Sequence, residues 1–311
     1  MSELHDDISW QELRRIVREW AGDSAELIET RPLHGGCANN TMLLTTAAGD
    51  RAVLKIAPHR VSTDYRREAH QLKLLRKLGV PTPEVYRYNV ASLGDPNSYL
   101  LMEYVEGFDL TQARELCTDD EFDDLQSHLG EVVAHMHANA GHDYRRVHTG
   151  AIRRYARWCP FFHSVYDPIL HASDQAAHLP VKARKVVGKV HERLDKLIDH
   201  GDRPRLVHFD LWAHNVICNK DRTGRWKVAA LIDPNCKFAH AEAEIAYMDL
   251  FKTSTKAFSK VYNAHFKLGD DYHRCRKIVY QLYPMLDHLQ LLGKQYLTPC
   301  LAAVERASGL V

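Results

Sequence analysis

The segment LVHFDLWAHN, residues 206–215, places three side chains that could do chemistry inside an apolar and aromatic stretch. They are His208, Asp210 and Asn215. A carboxylate can accept a proton from a substrate hydroxyl, and an amide oxygen is a hard ligand suited to Mg²⁺. The segment lies between two strand-like runs. It is therefore either a polar turn between strands or a loop that holds a reacting hydroxyl and a metal.

A second acidic residue is brought to the same place by the predicted fold of the following segment. Asn215 is followed by VICNK, a turn-prone DRTG and then RWKVAALID, and the midpoint Gly224 lies in that turn. A hairpin folded there returns Asp233 to the side of Asn215. This pair of oxygen ligands suits Mg²⁺, and Asp210 is then left to accept a proton.

The first third of the chain supplies a cation for such a site. Lys55 ends the strand-like run RAVLK, and Glu68 shares one face of the next helix with Leu72 and Leu75. A glutamate on an inward face needs a cationic partner. The sequence therefore predicts an ion pair between Lys55 and Glu68.

A glycine-rich turn in the same region could bind phosphate. The segment HGGCANN, residues 34–40, contains Gly35, Gly36 and Asn39. Glycines allow backbone N–H groups to approach a polyphosphate closely. Cys37 in this turn is interpreted as a buried small residue rather than a redox switch.

The elements that must position these residues follow from periodicity and turn signals. Residues 8–20 have the apolar stripe of a helix, and residues 30–57 alternate strands with turns. A helix opened by Ser62 or Thr63 and closed by Gly79 follows. From about residue 107 the pattern becomes helical, with one helix over 119–139 and a strand-like island around 206–233. The fold class is therefore α+β.

Length and composition limit the class of protein. A chain of 311 residues exceeds the usual size of one core, so two domains are expected. A net charge of +1 and the ordinary composition indicate neither a nucleic-acid partner nor a membrane partner. Seven cysteines without a C-x-x-C pair, and a polar N-terminus unlike a secretory signal, predict a cytoplasmic protein.

Two groups of residues outside this constellation are interpreted as structural. Trp158, Phe161 and Phe162 are expected in the core, with framing of the substrate as the alternative. His137 is expected to be a packed or capped histidine rather than a metal ligand. His240 is interpreted in the same way, although it could line an acceptor cleft.

The order of these residues resembles a known family. A strand lysine, a helix glutamate, H-x-D-x-x-x-x-N and a later aspartate resemble the active-site set of the protein-kinase-like fold. The segments REAHQLKLLRKLGVPTPEVY, LLMEYVEG and VHFDLWAHN are similar to the aminoglycoside phosphotransferase and choline kinase branch. Within that branch, DLWAHN and IDPNCKFAHAEAEIAYMDLF are most similar to the fructosamine (ketosamine) kinases.

The resemblance implies a fold of two lobes. A small β-rich ATP-binding lobe would occupy residues 1–105, and a larger, mainly helical catalytic and substrate-binding lobe would occupy residues 106–311. The hinge would lie near residues 103–107. The expected oligomeric state is a monomer or a homodimer.

The resemblance also implies ATP and Mg²⁺ as cofactors and gives each candidate residue a role. Asp210, with His208 in the same motif, would be catalytic, and Glu244 would support the catalytic segment. The metal ligands would be Asn215 and Asp233. The nucleotide would be bound by Lys55, Glu68, Gly35, Gly36, Asn39 and the hinge residues Glu103, Tyr104 and Val105.

The implied function is phosphorylation of a hydroxyl on a small molecule, with a fructosamine-type sugar amine as the leading acceptor. An aminoglycoside is the alternative, and choline- or homoserine-like alcohols come third. An aminoglycoside would need an acidic cleft, for which Glu242 and Glu244 are among the candidates. A protein kinase is disfavoured because D-F-G and A-P-E are absent.

Two positions depart from the family pattern. Phe209 stands where this branch usually has glycine, and His214 is bulky where a small residue is common. Phe209 is the one support for a different class, an inactive nucleotide-binding pseudokinase.

Overall fold

The structure is a computed structural model of the chain that describes residues 8–33, 40–57, 65–92, 97–175 and 179–311. The chain divides into two compact units. The first contains residues 1–115, 148–150 and 214–234, and the second contains residues 116–147, 151–213 and 235–311.

The described residues form eleven α-helices and eleven β-strands. The helices are α1 (Trp10–Ala21), α2 (Tyr65–Lys77), α3 (Leu110–Leu116), α4 (Asp119–His137), α5 (Trp158–Gln175), α6 (Val181–Glu192), α7 (Leu194–Ile198), α8 (Ala241–Leu250), α9 (Lys256–His265), α10 (Lys277–Leu292) and α11 (Leu297–Ser308). The strands are β1 (Leu27–Pro32), β2 (Asn40–Thr46), β3 (Arg51–Ala57), β4 (Val85–Asn89), β5 (Ser98–Glu103), β6 (Phe108–Asp109), β7 (Arg145–Arg146), β8 (Arg205–Val207), β9 (Val216–Lys220), β10 (Trp226–Leu231) and β11 (Lys237–Ala239).

The first unit is built on a five-stranded antiparallel sheet. The strand order is β1-β2-β3-β5-β4, so β3 lies in the centre and is paired on both sides. Helix α1 buries Leu13, Ile16 and Val17 in the core of this unit, as the periodicity predicts. Trp10, on the predicted stripe, is 43% exposed at the start of the helix.

Helix α2 covers the other face of the sheet. Its buried residues Tyr65, Ala69 and Leu72 pack with Val53 and Ala57 of β3. The helix ends at Lys77, and Gly79 follows with φ of +80°, a left-handed conformation that glycine adopts without steric cost. The predicted end of this helix is confirmed, whereas its predicted start at Ser62 or Thr63 lies outside the described residues.

A separate three-stranded sheet of order β10-β9-β6 belongs to the first unit. It begins directly after Gly107, whose backbone lies against the strand β9. A Cβ atom at this position would lie 2.4 Å from the carbonyl oxygen of Cys218. Glycine is therefore required at position 107 for β6 to pair with β9.

The second unit is mainly helical and contains the small antiparallel sheet β7-β11-β8. Helix α4 begins with a capping box in which Thr118 and Glu121 bond to each other's backbone N–H groups. The helix spans Asp119–His137, close to the predicted 119–139. With the sheets of the first unit, this confirms the α+β class.

The aromatic residues Trp158, Phe161 and Phe162 lie in the core of the second unit, as predicted. Each is at most 2% exposed, and Trp158 Nε1 donates to the Tyr280 hydroxyl oxygen at 3.0 Å. His240 is also fully buried and stacks on Trp158, with 4.7 Å between ring centroids. Across the described residues, every helix is too short or too polar to cross a bilayer.

Candidate active site

Lys55 lies on the central strand β3 of the first unit. Val53 and Ala57, two positions away on either side, pack against α2, so the Lys55 side chain faces the same helix. Its Nζ donates to Glu68 Oε1 at 2.7 Å and also contacts the carboxylate of Asp233. The predicted ion pair between Lys55 and Glu68 is confirmed, and a second carboxylate joins it.

The two carboxylates keep the Lys55 side chain charged although it is buried. Burial by itself lowers the pKa of this ammonium, but Glu68 and Asp233 outweigh that effect and raise the pKa above its ordinary value. Burial also raises the pKa of Glu68, against the opposing attraction of Lys55. A charged lysine held in this way is suited to neutralising phosphate oxygens.

Asn215 and Asp233 lie at the open end of the hairpin that β9 and β10 form. The strands pair with Val216 opposite Leu231, and Ile232 N donates to the Asn215 carbonyl oxygen at 3.0 Å. Asn215 is 4% exposed, and Asp233 has φ of +56°. The hairpin and the return of Asp233 beside Asn215 are confirmed.

The tip of this hairpin shows why the sequence turns there. Asp221 Oδ1 accepts from the Thr223 N–H at 2.8 Å, and Gly224 N donates to the Asp221 carbonyl oxygen at 2.9 Å. Gly224 has φ of +81°, which glycine tolerates. The DRTG turn sets the register at the tip, and a one-residue register shift between Val228 and Ala230 then gives the pairing that brings Asp233 back beside Asn215.

The predicted hinge residues lie at the end of β5 and directly after it. Glu103 closes this strand opposite Ala52, and its carboxylate accepts from Glu84 N–H at 2.9 Å. The Arg51 guanidinium lies over the Tyr104 ring, 4.9 Å from its centroid. Val105 continues the chain out of the sheet. Gly35, Gly36, Asn39 and Cys37 of the predicted phosphate turn lie outside the described residues.

In the second unit, Glu244 supports the loop that carries His208 and Asp210. Its Oε2 lies 2.7 Å from His137 Nε2 and accepts from His208 N–H at 3.2 Å, while Oε1 accepts from Phe209 N–H at 2.5 Å. Burial acts to raise the pKa of Glu244, but these hydrogen bonds and the His137 ring lower it below its ordinary value. Glu244 is therefore an ionised anchor of the loop backbone, and His137 is a packed histidine, as predicted.

His208 itself is fully buried and is held by its main chain. Its N–H donates to Glu244, and its carbonyl oxygen accepts from Asn235 N–H at 2.9 Å. These bonds fix the start of the loop on both sides.

Asp210 is oriented by a residue that sequence reasoning missed. The hydroxyl of Tyr247, on α8, donates to Asp210 Oδ1 at 2.6 Å. Burial, reinforced by the negative charge of Asp210, raises the pKa of Tyr247 far above its ordinary value, so the hydroxyl remains a donor. This short bond holds one carboxylate oxygen of Asp210 in place.

Phe209 adopts the backbone conformation that explains the usual glycine at this position. Its φ is +66°, a left-handed conformation that costs an ordinary residue about 1–2 kcal/mol. The ring lies 3.7 Å from Nζ of Lys237, which is only 3% exposed and donates to the Asn235 carbonyl oxygen. The loop therefore has a glycine-like backbone and uses the Phe209 side chain to cover a buried cation.

His214, the second departure from the family pattern, lies at the start of the hairpin. Its Nδ1 is 2.9 Å from Asp109 Oδ2, and its side chain is 42% exposed. The bulky residue therefore pairs with an acidic side chain of β6.

Comparison with known proteins identifies the family of this chain. A fructosamine kinase family model matches residues 9–307. The chain belongs to the fructosamine kinase family. It is accordingly a phosphotransferase that acts on a hydroxyl group of a small molecule, and the resemblance read from the sequence is confirmed.

The relatives and solved structures agree with this assignment. A probable ketoamine kinase of Vibrio cholerae is 23% identical over 309 residues, covering 96% of this chain and 98% of the relative. One from Staphylococcus aureus is 26% identical over 288 residues, covering 87% and 90%. The candidate fructosamine-3-kinase structure of Thermobifida fusca has a TM-score of 0.74 at 22% identity, covering 96% and 99%.

A more distant structure shows how far the fold extends. A mutant aminoglycoside phosphotransferase in complex with ADP and hygromycin B has a TM-score of 0.66 at 17% identity, covering 96% of each chain. The kinase-like fold predicted from the sequence is therefore confirmed.

Proposed function

We propose that this protein is an ATP- and Mg²⁺-dependent kinase that phosphorylates a hydroxyl of a ketosamine, with a fructosamine-type sugar amine as acceptor. The observation that carries this proposal is the match to the fructosamine kinase model over residues 9–307. The matched range contains an aspartate for the base, two oxygen ligands for a metal and a buried lysine for phosphate.

Asp210 is assigned the role of the base. Its carboxylate accepts or orients the proton of the acceptor hydroxyl as the phosphoryl group is transferred. Tyr247 holds one carboxylate oxygen at 2.6 Å, and Glu244 holds the backbone of the preceding residues. These bonds preorganise the base before the acceptor arrives.

Asn215 and Asp233 are assigned to Mg²⁺. An amide oxygen and a carboxylate are the hard donors that Mg²⁺ uses together with water and phosphate oxygens, so the donor set fits this ion. The bound ion would supply positive charge to the phosphate oxygens. The pairing of β9 and β10 brings the backbones of the two residues together at the open end of the hairpin.

Lys55 is assigned to the phosphates of ATP, with Glu68 holding its ammonium. The Glu103–Val105 backbone is assigned to adenine, and Gly35, Gly36 and Asn39 to the polyphosphate. Nucleotide use is supported by the ADP and GDP complexes of proteins with this fold.

Two of the acidic residues considered for an aminoglycoside cleft, Glu242 and Glu244, are paired within the protein. Glu242 forms a two-bond ion pair with Arg276, and Glu244 is bound to His137 and the loop backbone. Both carboxylates are therefore neutralised internally. An aminoglycoside is a polycation and would need uncompensated acidic groups, so Glu242 and Glu244 lend no support to an aminoglycoside acceptor.

The test is Mg²⁺-dependent release of ADP from ATP with fructosyl-amines, ribulosyl-amines, aminoglycosides, choline and homoserine as acceptors. We expect turnover on a ketosamine and a loss of about 10²–10⁴-fold in Asp210→Asn, because the base is removed while the side chain keeps its shape. Asp270→Asn, on an exposed aspartate, is the matched control. Turnover on an aminoglycoside alone would show that the acceptor is an aminoglycoside and not a ketosamine. ATP binding without turnover on any acceptor would favour a pseudokinase.

A further inference from the structure

Two imidazoles and a carboxylate converge in the second unit, and none of the proposed catalytic roles uses them. His163 Nδ1 lies 3.0 Å from Asp167 Oδ1, and His191 Nε2 lies 3.4 Å from the same oxygen. The three donor atoms all lie within 4.8 Å of one another. The side chains are 34%, 39% and 26% exposed, so an ion from solvent can reach them.

The sequence positions of these residues account for the convergence. His163 and Asp167 are four residues apart on α5 and therefore project from one face of the helix. His191 is contributed by α6, and its ring packs edge-on against that of His163 with 4.5 Å between centroids. His171, four residues beyond Asp167, continues the same stripe, and its Nδ1 lies 2.6 Å from the Asp167 carbonyl oxygen.

The two separations to the Asp167 oxygen match those of ligands around one ion. Zinc bound at about 2.0–2.2 Å in a tetrahedral site holds its donor atoms about 3.3 Å apart. The observed 3.0 and 3.4 Å lie on either side of that value. A hydrogen bond between histidine and aspartate has a similar length, and the surroundings of His191 distinguish the two arrangements.

The other ring nitrogen of His191, on the side away from Asp167, has a hydrogen-bond partner of the kind that metal-binding histidines have. His191 Nδ1 lies 3.1 Å from the hydroxyl oxygen of Tyr283, which is 1% exposed. Metal-binding histidines commonly donate their second ring N–H to an oxygen, because this leaves the other nitrogen free to bind the metal. The Tyr283 hydroxyl can accept such a bond and would direct the Nε2 lone pair towards His163 and Asp167.

We propose that His163, Asp167 and His191 bind a divalent transition-metal ion, with Zn²⁺ as the ion that fits best. Two imidazoles and one carboxylate form a donor set typical of zinc, whereas Mg²⁺ prefers oxygen ligands alone. Water would complete the coordination. Its nitrogen-rich donor set differs from the oxygen donors of Asn215 and Asp233, which suit Mg²⁺.

The bound ion would tie α5 to α6. Pro168 follows Asp167 inside α5 and cannot donate a helical hydrogen bond, so this helix is weakened next to the proposed ligand. An ion held by both helices stabilises the folded state because the unfolded chain does not preform the site. The inference therefore concerns stability and metal content and does not depend on the acceptor.

The probe is Co²⁺, whose visible spectrum reports its geometry, titrated into the metal-free full chain in an excess of Mg²⁺. We expect one equivalent with the bands of a four-coordinate nitrogen and oxygen site, displaced by Zn²⁺. Loss of a residue that hydrogen-bonds to a metal ligand typically weakens metal binding at least about tenfold. Asp167→Asn and His191→Ala alter the ligands themselves, so each should weaken Co²⁺ binding by at least that factor. Tyr283→Phe should weaken it by about that amount.

The matched control is His265→Ala, which removes a histidine paired with Glu131 on the surface of the same unit. It should still bind one equivalent of Co²⁺ with the affinity of the wild type. Zn²⁺ should also raise the melting temperature of this variant as much as that of the wild type, because the bound ion stabilises the folded state. Asp167→Asn keeps the size of a partly exposed side chain, and circular dichroism would verify its fold. The proposal would be overturned if the wild type did not bind Co²⁺ or if Asp167→Asn bound it as tightly as the wild type. It would also be overturned if His265→Ala weakened binding as much as Asp167→Asn does.

Discussion

At the scale of single residues, the hydroxyl of Tyr247 determines how Asp210 is presented. It bonds to Oδ1 at 2.6 Å and packs its ring against Phe251, with 4.7 Å between centroids. Because the hydroxyl stays protonated, it holds one oxygen in place throughout the working pH range. This bond is the positioning contact for the proposed base.

Replacement of Tyr247 by phenylalanine should therefore impair the chemical step. A hydrogen bond to a charged group contributes about 1.5–3 kcal/mol, so we expect kcat to fall at least about tenfold. The KM values for ATP and acceptor should stay unchanged, because the ring and its packing are retained. Steady-state kinetics would measure this, with Tyr86→Phe on β4 as the control. A change confined to KM would contradict a positioning role.

At the scale of elements, helix α8 is joined to the π-helical turn before α10 (Tyr272–Arg276) by a buried ion pair. Both carboxylate oxygens of Glu242 accept from the Arg276 guanidinium, at 2.5 and 2.9 Å. Although burial opposes it, the pairing with Arg276 and with His200 lowers the pKa of Glu242 to about 2. Beside it, burial and the neighbouring His200 lower the pKa of His240 to about 2.

Both groups predict a loss of stability in acid, with His240 acting from about pH 6.5 downwards and Glu242 adding to it below about pH 4.5. The stabilisation from Glu242 is complete above its unfolded pKa of 4.5 and is lost as the pH falls towards 2, amounting to about 3 kcal/mol. His240 begins to destabilise below 6.5, because the unfolded chain binds a proton that the folded chain does not. The free energy of unfolding should therefore fall continuously from about pH 6.5 downwards.

Glu242→Gln tests this element by denaturant unfolding at several pH values. The variant should be less stable at neutral pH, and its stability should vary less than that of the wild type between pH 4.5 and 2. Glu131→Gln, on an exposed glutamate, should keep the slope of the wild type. Parallel slopes for Glu242→Gln and the wild type would show that Glu242 is not the titrating group.

The elements also show which parts of the site are readable from sequence. The hairpin was predictable because a turn signal marks its midpoint, and the Lys55–Glu68 pair because one helix face is apolar. The one-residue register shift between Val228 and Ala230 has no such signal. The bond from Tyr247 to Asp210 spans 37 positions and the pair of Glu242 and Arg276 spans 34. Such contacts depend on the packing of separate helices, which no local pattern encodes.

At the scale of the whole molecule, binding and chemistry are assigned to different residues and can be separated by measurement. Lys55, Asn215 and Asp233 are proposed to bind nucleotide and metal, and Asp210 to act on the acceptor. A ligand that binds the folded state stabilises the whole chain, by about 2.7 kcal/mol at a hundredfold excess over Kd. Melting temperature therefore reports binding even where turnover is abolished.

We expect ADP with Mg²⁺ to raise the melting temperature of the wild type by several degrees. Lys55→Met should abolish most of this rise, because the phosphate charge is no longer neutralised. Asp233→Asn should remove the part that depends on Mg²⁺ and keep a smaller rise with ADP alone. Asp210→Asn should keep the full rise while losing turnover, since the base does not hold the nucleotide. A full rise in Lys55→Met would show that the nucleotide is bound elsewhere.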